Sequence, residues 1–290
     1  MSILESMKKV LRNFGFFLIS QLPYQYIVIL RQSSLVKYFK TVFLDSKSSG
    51  EDLYIVRSGA LKGYKIFTNP NIRPGYIFGT YEPDITQAVT DQCKTGWVVC
   101  DIGAHHGYFS LLMSKIIGAG GYCFTFEPLS ENYDCIVKTI QANSLTNITV
   151  EQLAVSNQSN IKEFHTIPQQ SAKSRFVNNI PLGEANRFEK TTIVKTTRLD
   201  DYFKNCGIPR IDIIKIDVEG AESQVIEGAQ SILNNYKPIL IMEIHACGKD
   251  DLARHPIVID LEEIGYQIDV LNIDHWRSND QHILASHIPV

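Results

Sequence analysis

The chain has 290 residues, 44% of them hydrophobic and 20% charged, the composition of a soluble globular protein holding one α/β domain and an added segment. A net charge of -3 lacks the basic surplus of a nucleic-acid binder, so no nucleic-acid partner is expected. Six cysteines without a C-x-x-C pair argue against a disulfide framework or zinc site and for a reducing compartment, taken as the cytoplasm.

Lys8, Lys9 and Arg12 precede a stretch that stays uncharged from Asn13 to Leu30. Polar residues and Pro23 interrupt it, which favours two short amphipathic helices over a membrane span. Residues 1–44 could then pack on the domain, self-associate or lie peripherally on a membrane. Asp45 to Gly50 reads as a linker, giving a first helical segment over 1–50. Residues 51–94 carry two short strands, Asp52 to Arg57 and Gly63 to Thr68, then a helix to about Cys93 behind Gly79-Thr80-Tyr81-Glu82-Pro83-Asp84. Glu82 and Asp84 suit a helix start.

From residue 95 to 290 strands and helices alternate. Trp97 to Cys100 is an apolar strand that Asp101 ends, Gly103 and Gly107 form a tight turn, and Tyr108 to Ile117 has helical spacing. Tyr122 to Phe126 is the next strand, with Glu127 at its carboxyl end and Ser130 as N-cap of a helix to about Asn143. Ile148 to Leu153 is a third strand, and Asn160 to Thr166 an extra edge strand. Pro168 to Lys190 is polar, aperiodic and long for a loop, as a lid or binding loop would be. Thr191 to Thr197 is a strand and Leu199 opens a short helix. Ile211 to Ile216 is a strand ending in Asp217-Val218-Glu219-Gly220-Ala221-Glu222, with one helix following to about Asn234. Pro238 to Ile244 ends in Glu243-Ile244-His245, a helix runs Ile257 to Ile264, and Tyr266 to Leu271 with Ile283 to Ser286 forms a terminal hairpin.

Such alternation predicts an α/β, doubly wound, mostly parallel sheet with ligands bound outside the carboxyl ends of its strands. Asp101, Glu127, Asp217, Glu219, Glu243 and His245 fall on that one rim. Buried acids there are costly unless paired or bound, so a shared site is expected. Glu127 offers two acceptors to a ribose diol. The blander readings are that Glu222 stabilises a helix start, Glu219 caps backbone amides and His245 is a core histidine. Asp217, Glu219, Glu243 and His245 could also hold Mg²⁺, but an acidic cleft with no metal is preferred. A dinucleotide fingerprint G-x-G-x-x-G fails, because His105 and Tyr108 stand where two of its glycines belong.

The segments V-C-D-I-G-A-H-H-G-Y-F-S, F-E-P, N-I-T-V-E-Q-L-A-V-S, T-R-L-D-D-Y, I-K-I-D-V-E-G-A-E and I-L-I-M-E-I-H, with G-T-Y-E upstream, occur in this order over about 75–245. Together they resemble the FkbM family of S-adenosylmethionine (SAM)-dependent methyltransferases. The resemblance implies seven strands in the order 3-2-1-4-5-7-6. It implies that Asp101, Gly103, Ala104 and Gly107 line the methionine half of SAM, that Glu127 holds the ribose beside Pro128, and that Ala154 lies near the adenine. It pairs Glu82 with the cofactor's ammonium and puts Asp217 where the methyl meets the acceptor. Asp217, Glu219 and His245 are then the candidate bases, for O-methylation of a small molecule or sugar. The departure is His105-His106, where the family commonly carries an Asn; His tolerates a positive φ better than most residues. That pair keeps a second reading in play, a non-catalytic SAM-fold module. An NAD(P)-dependent oxidoreductase is the third.

Overall fold

The computed structural model describes residues 51–69, 73–166, 175–176, 190–248, 250–271 and 280–287. The reading of residues 1–50 lies outside these, as does nearly all of the 168–190 loop. No described helix is long and apolar enough to cross a membrane.

Residues 51–94 form a hairpin of β1 (Asp52–Ile55) and β2 (Lys65–Thr68) and two helices, α1 (Pro74–Phe78) and α2 (Pro83–Gln92). Proline opens both helices, where its missing N–H costs nothing. The domain proper starts with β3 (Val98–Ile102), α3 (Tyr108–Ile117), β4 (Tyr122–Phe126), α4 (Ser130–Ala142) and β5 (Ile148–Glu151). It resumes with α5 (Leu199–Cys206), β10 (Ile213–Ile216), α6 (Glu222–Glu227), α7 (Gln230–Asn235), β11 (Ile239–Ile244), α8 (Pro256–Glu263), β12 (Tyr266–Val270) and β13 (Gln281–His287). Between lie β6 (Ala154–Val155), β7 (Ile161–Thr166), β8 (Arg175–Phe176) and β9 (Lys190–Thr197).

The seven-stranded sheet runs β12-β13-β11-β10-β3-β4-β5, and only β13 is antiparallel to its neighbours. Numbered within the sheet this is 3-2-1-4-5-7-6, the order the family resemblance implied. Both faces are covered, as a parallel sheet requires. Cys100, Phe124, Ile214, Ile216 and Leu240 pack on one side with Phe203 and Leu261. Val99, Cys123, Ile213 and Ile241 pack on the other with Leu111, Leu112 and, from the first unit, Leu61, Ile66 and Val89. The hairpin is pinned to α4 as well: Phe67 N–H donates to Thr139 Oγ1 and Lys65 N–H to Asn143 Oδ1, both at 2.9 Å.

Four local readings are corrected. Asp101 lies inside β3 rather than ending it, fully buried. The third strand stops at Glu151; Ala154–Val155 instead pairs with β9 in a separate sheet, β6-β9-β7-β8, which also takes the strand read as an extra edge. The helix after Asp217 is two helices. They break at Gly228, where an added Cβ would sit 2.2 Å from the Ser156 carbonyl. Ser130 does not cap α4. Leu129 is the N-cap and no side chain caps it; Glu127 Oε1 accepts the Leu129 N–H at 3.0 Å one residue upstream. Of the six cysteines, all free thiols, only Cys206 is exposed.

Candidate functional site

The sheet order reverses between β3 and β10, and that switch point is where ligands bind in doubly wound folds. Gly103 leaves β3 at φ +78, and an added Cβ would lie 1.9 Å from the Asp217 carbonyl. Only glycine lets these two strand ends close on each other. His105 follows at φ 53 and Gly107 at φ 80, completing the turn into α3. The imidazoles of His105 and His106 stack, with ring centres 4.0 Å apart. Tyr76 Oη lies 3.3 Å from His105 Nδ1 and Thr68 Oγ1 3.0 Å from His106 Nδ1, so the first unit braces the turn. Burial holds His105 neutral and takes His106 down to about 3.

Glu127, at the end of β4, is 4% exposed. Oε2 accepts the His105 N–H at 2.9 Å; Oε1 accepts the Leu129 N–H at 3.0 Å and Asn132 Nδ2 at 3.1 Å. Three of the four or so acceptor positions on a carboxylate are thus filled by the protein, leaving about one. Burial raises its pKa to about 7, against the pull of those hydrogen bonds. Pro128 is half-buried beside it. Ala154 packs with Phe164, Val194 and Ala221, next to Leu129 and Val218, and so reaches the same rim. Ala104 is buried within the turn.

Across the switch point a buried lysine joins two acids. Register sets Lys215 opposite Asp101. Its ammonium is 3.8 Å from Asp101 Oδ1 and 3.4 Å from Asp217 Oδ2, over the Phe109 ring. Ser110 Oγ donates to Asp101 Oδ2, while Asp101 Oδ1 is a buried acceptor with no hydrogen bond. Burial pushes the Asp101 carboxyl up. Burial acts the same way on Asp217, but Lys215, His245 and His282 outweigh it and hold Asp217 below its usual value.

Beyond Asp217 the rim becomes a cluster of charge. His245 Nδ1 is 2.8 Å from Glu222 Oε1, and its Nε2 faces Glu219, Glu243 and Asp217. Burial would lower the His245 pKa, but these carboxylates raise it to about 10, so the free protein carries an imidazolium there and not a ready base. The β11–β13 register sets His282 opposite Glu243. His282 Nε2 lies 3.5 Å from Glu243 Oε2 and Nδ1 2.7 Å from Asp84 Oδ2. Glu82, in a left-handed conformation at φ 35, holds the N-cap position of α2 with no capping bond from its side chain; burial of its carboxyl group, with Asp217 and Glu243 nearby, raises its pKa to about 7. Four of the six described non-glycine residues with positive φ (Glu82, His105, Glu219 and Ala246) lie in or next to this site. Backbone strain gathers where a scaffold holds a site together.

The fold therefore brings every sequence-predicted residue to one rim: Asp101, Gly103, Ala104, Gly107, Glu127, Pro128 and Ala154 on the turn side, Asp217, Glu219 and His245 with Glu82 on the other. The reading missed Lys215, Asp84 and His282 as members of the cluster. Lys215 had a signal, a charge in the middle of an apolar strand; His282 had none, because only the antiparallel return of β13 places it. The acceptors suit SAM. Glu127 keeps about one unfilled acceptor position, Asp101 Oδ1 carries no hydrogen bond, and the acids outnumber Lys215, His245 and His282, so a cationic ligand is complementary.

This strand order and switch-point site are those of the class I methyltransferase fold. Residues 101–268 match the methyltransferase FkbM domain, and the chain belongs to that family. It is 23% identical over 165 residues to the hexuronic acid methyltransferase AglP of Haloferax volcanii, covering 57% of this chain and 63% of that one. It is 47% identical over 47 residues to the 2-O-methyltransferase NoeI of Sinorhizobium fredii, covering 16% and 19%. The chain thus spans less than two thirds of either relative. A solved FkbM methyltransferase from Methylobacillus flagellatus superposes with a TM-score of 0.43 at 16% identity, over 67% of this chain and 44% of that one.

Proposed function

We propose that the protein is a SAM-dependent O-methyltransferase whose acceptor is a sugar hydroxyl. The observation that carries this is the convergence of Asp101, Glu127 and Asp217 on the switch point between β3 and β10. The two curated relatives support a sugar acceptor, one being named for a hexuronic acid and the other for 2-O-methylation. SAM, when bound, supplies an electrophilic methyl group on a sulfonium.

The chain's own residues do the rest. Glu127, fixed by three donors, keeps one acceptor position for a ribose hydroxyl. Asp101 Oδ1 and Glu82 offer acceptors to an ammonium. Asp217, anionic beside Lys215, accepts a hydrogen bond from the acceptor hydroxyl and orients its lone pair at the methyl carbon. With SAM bound, transfer would break its S–C bond as the O–C bond forms, and a carboxylate of the rim or water would take the hydroxyl proton. Orientation is the larger contribution, with effective molarities of about 10⁵–10⁸ M available, and proton removal adds about 10²–10⁴-fold.

The test is transfer of tritium from methyl-labelled SAM to a panel of hexoses and hexuronates, by wild type and Asp217→Asn. Labelled methyl ether is expected from wild type, and a fall of about 10²-fold or more in the variant with S-adenosylhomocysteine (SAH) affinity retained. SAH binding with no transfer to any acceptor favours the non-catalytic module. Full turnover by Asp217→Asn removes that residue from the chemistry.

A further inference from the structure

The sequence favours an acidic cleft with no metal beside Asp217, but the side-chain geometry points elsewhere. We propose that Asp217, Glu243 and His245 form a divalent-cation site, with Glu219 at its mouth, one step along the rim from the SAM pocket. The donor atoms of Asp217, Glu243 and His245 all lie within 4.8 Å of one another. Two ligands on one Mg²⁺ or Mn²⁺, each bonded at about 2.0–2.2 Å, stand at most about 4.4 Å apart, and His245 Nε2 lies within that span of Glu243 Oε1 (3.7 Å) and Asp217 Oδ1 (3.9 Å). The three donors thus meet the spacing that a shared ion requires.

His245 Nε2 is the independent sign. The side chain is 6% exposed, and Nε2 has no hydrogen-bond partner. Glu219 Oε2, Glu243 Oε1 and Asp217 Oδ1 surround it at 3.5, 3.7 and 3.9 Å. Those separations are long for hydrogen bonds and lie between the cis and trans ligand spacings of about 3.0 and 4.2 Å in a Mg²⁺ shell. The far nitrogen, Nδ1, is tied to Glu222 Oε1 at 2.8 Å. A carboxylate on the far nitrogen fixes the ring and raises the basicity of a metal-ligating histidine. The same carboxylates that draw a proton to Nε2 draw a cation in its place. Asp217 and Glu219 keep 19% and 14% exposure, so the site opens outward. Carboxylates with one imidazole and no thiolate suit Mn²⁺ or Mg²⁺.

The use of the ion rests on the methyltransferase reading: a cation bound to Asp217 would hold the acceptor hydroxyl by its oxygen and ease loss of its proton. Binding itself does not rest on it. The test titrates Mn²⁺ into the full chain, freed of divalent ions, and follows free Mn²⁺ by electron paramagnetic resonance. One ion per chain is expected. Glu243→Gln and His245→Gln should each weaken it by more than about tenfold, and Glu222→Gln by about 10–100-fold, with SAH affinity kept within about threefold. Pulsed resonance on the wild-type complex needs no variant: a nitrogen coupling from His245 is expected, and its absence overturns the site. No saturable binding up to about 1 mM Mn²⁺, or one-ion binding that survives both substitutions, also overturns it. A chain that binds Mn²⁺ but not SAH keeps the site and sinks the methyltransferase reading; the reverse result keeps that reading and sinks the site.

Discussion

The two sides of the switch point are built differently. On the turn side the polar groups are met by the protein itself: Glu127 accepts three hydrogen bonds, and the His105 and His106 rings are buried and neutral. On the Asp217 side charge faces charge across 3.5 to 3.9 Å, and His245 Nε2 is not hydrogen-bonded at all. The first side is nearly complete before a ligand arrives, short only of a fourth donor to Glu127 and of one to Asp101 Oδ1. The second is an excess of acid held together by Lys215, His245 and His282. Lys215 is the hinge between them, touching Asp101 on one side and Asp217 on the other.

Removing that hinge should have the largest effect on stability. Lys215→Met leaves Asp101, wholly buried, without its counter-charge. Breaking a buried pair costs about 3–5 kcal/mol. At about 2–4 °C per kcal/mol for a chain of this size, calorimetry should show a fall in Tm of about 10 °C. A change under about 2 °C would mean the two sides are independent.

The turn side should show its completeness in its pH response. His106 drops to about 3 against an unfolded value near 6.5. Between those values the unfolded chain binds the extra proton, so its contribution is full above pH 6.5 and lost on acidification. Glu127 goes the other way. With a folded value near 7 and an unfolded value near 4.5, its contribution is full below pH 4.5 and lost as pH rises through 7. In the overlap the two oppose each other. Glu127→Gln removes one arm, so its stability relative to wild type should climb by about 1.4 kcal/mol per pH unit between pH 4.5 and 7. Parallel urea-denaturation profiles for the two proteins would show that the Glu127 pKa is not raised on folding.

The smallest effect separates the structure from the sequence reading. As an N-cap, Ser130 would be worth about 1 kcal/mol; as an exposed first residue of α4 with no capping bond, Ser130→Ala should change stability by less than about 0.5 kcal/mol. Denaturant midpoints decide between them.

The same contrast explains what could be read without coordinates. The turn side is contiguous: Gly103, Gly107 and Glu127 fall in one strand–turn–helix–strand unit whose periods and glycines are local. Even the positive φ at His105 was foreseeable from its residue type. The far side is assembled over distance. His282 meets Asp84 across 198 positions, and no local pattern encodes that pairing. Alternation marked 160–166 and 191–197 as strands, but period two says nothing about which sheet a strand joins. Ser130 looked like a cap because its residue type fits, while Leu129 holds the cap position.

The account stands on the turn side binding SAM through Glu127. Calorimetric titration of SAH into wild type and Glu127→Ala tests this directly. A single site in wild type, weakened by about tenfold or more in the variant, is the expected result. No heat of binding in wild type, or equal affinity in the two proteins, would contradict it.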